Sequence, residues 1–351
     1  MDAPVLHVIG LTSIIRERVL PISGTVHARL HQKVTPSDLI AETRWAREHV
    51  LLDVARLLNV SPNMADSLIR CKVDDQIPSG AEIAVGKGIF PRSVRAPRDG
   101  RVVAVGGGQV LMEAGETKME LRAGIPGIVK EIIPNRGVLI QTAGGLVQGV
   151  WGNGRIDTGT LVNLTETPES VLTVGRLDVS LRGSVILAGI VKDAETLQAA
   201  ADLPVRGLIL SSIFPSLLSK AREMRYPILV TDGFGALPMN SAAHKLLSTN
   251  AKREVTLNAE AYDRYTGARP EVIIPLPISS DPPPPREVET LAPGLQVRMR
   301  RQPAMGMIGS ILTIKPGQTT LPSGLRAPAA EVKLENGETV VVPLVNLEVV
   351  G

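Results

Sequence analysis

Residues 185–213 read VILAGIVKDAETLQAAADLPVRGLILSSI, and how this stretch folds decides the architecture of the middle of the chain. Val185 to Val191 is an unbroken apolar run, as expected of a strand covered on both faces. Asp193 suits the N-cap of a helix rich in Ala and Leu that ends near Leu203, and Val205 to Ile213 is the next apolar run. The alternation continues downstream. Pro215 opens a helix through Met224, Pro227 to Val230 is a third strand, Asn240 to Leu247 a helix and Glu254 to Leu257 a fourth strand. Repeated βα units with apolar strands predict an α/β domain over residues 166–278, built on a mostly parallel sheet. Pro270 to Pro277 would close it as a proline-bounded edge strand.

Working outward, residues 279–290 contain four consecutive prolines, Pro282 to Pro285, which enforce an extended polyproline conformation and read as a stiff linker. Residues 291–351 would then form a separate small all-β module. On the other side, residues 1–165 read as short strands punctuated by Gly, Pro and Asp, with a helical insertion over about residues 44–70. There Val50, Leu51, Val54, Leu57 and Leu58 follow helical spacing, and Ser61-Pro62 suits the start of a second short helix.

Composition narrows the chemistry. Of 351 residues 44% are hydrophobic, ample for several cores, while aromatics are only 2% and Gly 33 plus Pro 27 make the chain turn-rich. One cysteine, Cys71, excludes an intramolecular disulfide, a CxxC redox pair and a thiolate-rich zinc site. No apolar run reaches the roughly 18 residues of a membrane span. The N-terminal VLHVIGLTSII follows Asp2, is broken by Arg16 and has no small-residue cleavage site after it, so a cytoplasmic protein without a membrane partner is expected. A net charge of +3 is too mild to identify a nucleic-acid partner by itself.

The last module carries Val297-Arg298, then Pro303, Gly306, Gly309 and Ile311, and Asn336-Gly337 suits the turn of a second hairpin. This pattern resembles the KOW motif of small SH3-like barrels found in ribosomal proteins and transcription elongation factors. The resemblance implies a barrel that binds RNA in some proteins and only protein in others. Arg298, Arg300 and Arg301 are the candidate nucleic-acid contacts, although no aromatic interleaves them to stack on bases. A solvated strand face or a protein-docking surface is the alternative.

Residues 20–145 are similar to barrel-sandwich hybrids, the biotinyl and lipoyl-like domains and their unmodified relatives. The similarity rests on Gly24-Thr25-Val26 leading to Asp38 to Ala41, on Val73 to Ile77 leading to Ser79 to Ala84, and on Ala96 to Val102 and Gly127 to Ile132. In biotin carriers the modified lysine lies between two methionines at a hairpin tip, which would make Lys118, in Glu116-Thr117-Lys118-Met119-Glu120, the attachment residue. Thr117 departs from that pattern. The plain reading is two strands, Gln109 to Glu113 and Thr117 to Leu121, around an Ala-Gly turn with Lys118 facing water.

Other motifs point away from catalysis. The glycine-dense Gly149 to Gly159 lacks the Gly-Lys-Ser/Thr of a phosphate loop and reads as an interdomain turn anchored by Trp151. The five histidines form no HExxH pair, no G-x-S-x-G elbow exists, and Cys71 has no identifiable base, so no metal and no cofactor are expected. The reading that follows is a non-catalytic modular scaffold or macromolecule-recognition protein, its most natural partner another protein, with RNA or DNA possible through the C-terminal barrel. The competing reading is an enzyme or small-ligand sensor with its site at the carboxyl ends of the α/β strands. Those ends carry Lys192, Ser211 and Ser212, and Asp232, Gly233 and Phe234. A carrier modified on Lys118 is the third.

Overall fold

The computed structural model describes residues 1–87, 91–263, 265, 267–278 and 280–351, apart from the side chains of residues 45–47 and 116–117. Ser279 and the side chains of Glu116 and Thr117, to which sequence expectations attach, lie outside the described residues. The chain begins with β1 (Asp2–Leu6), β2 (Val8–Val19) and the long β3 (Leu39–Asp53), followed by α1 (Val54–Leu58) and α2 (Pro62–Leu68). Next come β4 (Gly100–Gly106), β5 (Gln109–Arg122), β6 (Gly127–Ile133), β7 (Gly137–Gln148) and β8 (Ile156–Asn163). The middle holds β9 (Ser184–Val191), α3 (Ala194–Asp202), β10 (Gly207–Ile213), α4 (Leu218–Glu223), β11 (Ile228–Phe234), α5 (Ser241–Thr249), β12 (Glu254–Asn258) and β13 (Glu271–Pro275). The chain ends with β14 (Val288–Thr290), β15 (Gln296–Met299), β16 (Ile308–Ile314), β17 (Ala329–Leu334), β18 (Thr339–Pro343) and β19 (Leu347–Val350).

The expected α/β parallel-sheet domain does not exist as such: the chain is 46% strand and 14% helix, and its sheets are mixed. β11, β10, β9 and β8 are parallel neighbours, but β12 then pairs antiparallel to β8, and the sheet runs on through β13 and β7 to β6. Twelve strands join in this one sheet, several from the segment before residue 165. Apolar runs record burial on both faces and carry no information about strand direction, so they are equally compatible with the mixed sheet. Pro270 to Pro277 is also corrected: β13 lies inside the sheet, between β12 and β7. Alternate residues of the parallel strands serve two cores. Ile186, Leu208 and Ile228 pack with Leu197 of α3 and Ala221 of α4 on one face, while Leu187, Ile209 and Leu229 pack with Ala243 and Leu247 of α5 on the other.

The helical insertion begins later than expected. β3 continues to Asp53 because β5 pairs with it from Ala41 opposite Leu121 to Asp53 opposite Gln109, and those ladder bonds hold Val50 and Leu51 extended. Only Val54, Leu57 and Leu58 of the helical pattern enter α1. The ribbon of β3 and β5 joins two modules built alike. In the outer one His31 N (φ 62°) donates to Val129 O, and Val129 N donates to Gln32 O; in the inner one Asp74 (φ 74°) and Asp75 make the same pair of bonds with Val102. Ile40 and Ala41 are buried in the outer core, and Ile83 and Ala84 occupy the matching places in the inner one. Gly127 and Gly100 match too, since a Cβ on either would stand 2.3 and 2.2 Å from a carbonyl oxygen of the facing strand. The inner module is thus inserted between the long strands of the outer one.

The C-terminal segment does not make its sheet alone. The order is β14-β1-β19-β15-β16-β17-β18, with β1 from the start of the chain lying parallel to β19 and antiparallel to β14. Ala3 and Val5 are part of its core. The proline run lies along β2, where Pro283 O accepts from Ser13 N and from Thr12 Oγ1. Among the described residues no helix is long and apolar enough to cross a membrane.

Candidate binding cleft

β11 ends in Thr231-Asp232-Gly233-Phe234, facing β15 of the C-terminal sheet. Gly233 takes φ 148°, a conformation that side chains rarely adopt, and the chain then carries Phe234 out to solvent, 42% exposed. Asp232 stays inside. Its carboxylate accepts from Thr231 Oγ1 at 2.7 Å, from Asn240 N at 3.1 Å and from Asn240 Nδ2 at 3.0 Å. Asn240 also caps α5, its Oδ1 accepting from Ala243 N at 2.9 Å. One short side chain therefore ties the helix start to the strand end.

Arg298 of β15 closes this arrangement. Its Nη2 donates to Asp232 O at 2.6 Å and lies 3.2 Å from Asp232 Oδ1, while Nη1 lies 3.7 Å from Glu348 Oε2. Glu348 of β19 accepts in turn from Arg269 Nη1 at 3.0 Å, and the Arg269 guanidinium stands 5.8 Å from the centre of the Tyr262 ring. The Asp232, Arg298 and Glu348 side chains are 0%, 6% and 6% exposed. Burial pushes the Asp232 carboxyl above the usual range, against the charge of Arg298 and the donors from Thr231 and Asn240. Arg298 Nε is buried without a hydrogen-bond partner among the described residues.

Above this network lies a cleft of about 380 Å³, lined by Asp232, Gly233, Phe234, Tyr262, Arg269, Arg298, Met299, Arg300, Met305 and Glu348. Two groups of residues that the sequence presented separately thus meet: Asp232, Gly233 and Phe234 from one sheet, Arg298 and Arg300 from the other. Arg300 is exposed. The remaining candidates lie elsewhere. Ser212 Oγ accepts from Leu237 N and donates to Gly235 O, so it shapes the loop, while Ser211 is buried beside it. Lys192 is exposed and does not line the cleft, and Arg301 lines a different groove.

Lys118 sits in mid-strand opposite Arg44, its Nζ 2.8 Å from Glu42 and 3.3 Å from Glu120. The expected Ala-Gly turn is absent, since β5 runs through Ala114 and Gly115, and Lys118 therefore occupies no hairpin tip. Cys71 is buried in the inner core, where burial pushes its thiol up and away from the reactive thiolate. Among the described residues no three His, Cys, Asp or Glu side chains are grouped to hold a metal.

Asn240 shows in the sequence only as the start of a helix, while Arg269, Tyr262 and Glu348 carry no local motif, and Arg269 and Glu348 are 79 residues apart in the chain. No protein-family model matches the chain, and no curated protein is significantly similar to it.

Proposed function

We propose that the protein is a non-catalytic, cytoplasmic recognition protein whose binding site is the cleft between β11 and β15, and that the cleft takes a nucleotide unit of a single-stranded nucleic acid. The observation that carries this reading is the company of Arg300. Among the described residues the exposed aromatic side chains are Phe234, Tyr262 and Tyr265, and the first two line the cleft with it. In a chain with 2% aromatics this supplies the stacking surface that the arginines lack in sequence. A ring over Phe234 or Tyr262 and a phosphate on Arg300 use both features, and base stacking contributes about 1–3 kcal/mol per base. Asp232 supports binding over catalysis, because its oxygens are committed to Thr231, Asn240 and Arg298.

A cleft of about 380 Å³ also has the size of a small-molecule site, which favours a free mononucleotide as the second reading. Fluorescence anisotropy separates the two. Labelled single-stranded oligonucleotides are expected to bind the full chain at about 50 mM salt, and Phe234→Ala to weaken binding by about 1–3 kcal/mol. Arg300→Ala should lower the slope of log K against log salt by about 0.7, the share of one phosphate on a single strand. Binding of mononucleotides alone would select the sensor reading, and binding of neither would return the cleft to a protein partner.

A further inference from the structure

We propose that the free edge of β18 is a second binding site, which accepts an extended, largely apolar peptide as an added strand and pairs a carboxylate of that peptide with Arg301. β18, Thr-Val-Val-Val-Pro, ends the C-terminal sheet and pairs only with β17. Among the described residues the strands at the other sheet ends have two to four residues, and the four-residue one, Glu82–Val85, carries the charge of Glu82. The long β2 is also an outer strand, but the proline run covers it at Ser13 and it carries Arg16, Glu17 and Arg18. Proteins blunt their edges with such short, covered or charged strands, and β18 has neither cover nor charge.

The backbone pattern shows what this edge offers. Leu334 N donates to Glu338 O at 2.8 Å and Leu344 N to Pro328 O at 2.9 Å, so these are hydrogen-bonded pairs of the β17–β18 ladder. Alternation makes Val340 and Val342 face β17 with their amides and turns the N–H and C=O of Thr339 and Val341 outward. Pro343 has no N–H and ends the row. Along this edge runs a groove of about 440 Å³, lined by all five residues of β18 and, across from them, by Pro303, Leu321 and Pro322. Residues from both faces of the strand line it, as they must if it follows the edge. Arg301 is its one charged lining residue and has no ion pair among the described residues. An apolar strand with one acidic side chain meets all of these features, and the main-chain bonds supply the affinity.

The probe is a displayed library of linear peptides selected on the full chain. The expected binders carry alternating apolar residues and an Asp or Glu, and Val341→Pro, which removes an outward N–H without touching the β17 ladder, should weaken them at least tenfold. Arg301→Glu should shift selection to peptides with Lys or Arg. N-methylation of alternate peptide amides should abolish binding to the unaltered chain, a readout independent of how any variant folds. Binders that tolerate both N-methylation and Val341→Pro would overturn the proposal. So would the absence of selected binders, or a concentration-dependent dimer of the chain that Val341→Pro dissolves, which would assign the edge to a second copy.

Discussion

A chain lacking residues 1–6 should lose the C-terminal sheet while the twelve-stranded sheet persists. β1 is an inner strand there: Val5 and Leu6 stand opposite Val349 and Val350, and Asp2 to Pro4 pair with Val288 to Thr290. Val5 and Leu6 are 6% and 0% exposed. Exposing two such side chains costs about 1.5–3 kcal/mol each. The strands on both sides also lose their hydrogen-bond partners. The total, about 5 kcal/mol or more, is of the order of a small domain's whole stability. Hydrogen exchange read by mass spectrometry should show residues 288–350 exchanging at unfolded rates in the truncated chain. For the same reason residues 291–351 alone should give a coil-like circular dichroism spectrum, the reverse of what the proline linker suggests. Native protection in either case would show that β1 is dispensable.

Replacing Arg298 by Met should destabilise the chain by about 3–5 kcal/mol in urea unfolding, because it strands the buried Asp232 carboxylate without its cation. Asp232→Asn in the same chain should restore much of that loss, since the charge needing a partner is then gone while an oxygen remains to accept from Thr231 and Asn240. Residues in contact give strongly non-additive cycles, and a coupling of about 0.5–3 kcal/mol is expected here. Additive effects would mean that the 3.2 Å pair does not act as a unit. The Arg298→Met chain should also bind oligonucleotides poorly, because Arg298 joins the two walls of the cleft.

Parts of this architecture were legible in the sequence, and the limits have physical causes. The apolar run Val185 to Val191 lies within β9, and Asp193 caps α3, its carboxylate accepting from Thr196 N at 2.7 Å. These are local signals. Strand direction and sheet membership are not, so nothing near residue 254 marks β12 as the antiparallel neighbour of β8, and a mixed sheet stands where a parallel-sheet domain is expected. The pattern at Val50 to Leu58 satisfied a helix on paper, but fourteen residues of β5 offered a better partner. The candidate site was visible in halves. Asp232 with Phe234 drew notice as a strand end and Arg298 with Arg300 as a basic strand, yet their meeting spans 66 residues. Glu348 and Arg269, which complete the network, carry no signal in their own neighbourhoods.

The binding reading is tested most directly by hydrogen exchange of the full chain with and without a saturating single-stranded oligonucleotide. Protection should rise in three segments distant in sequence, around residues 230–236, 260–269 and 298–300, which come together at the cleft. Protection confined to other surfaces, or no change at saturation, would contradict it.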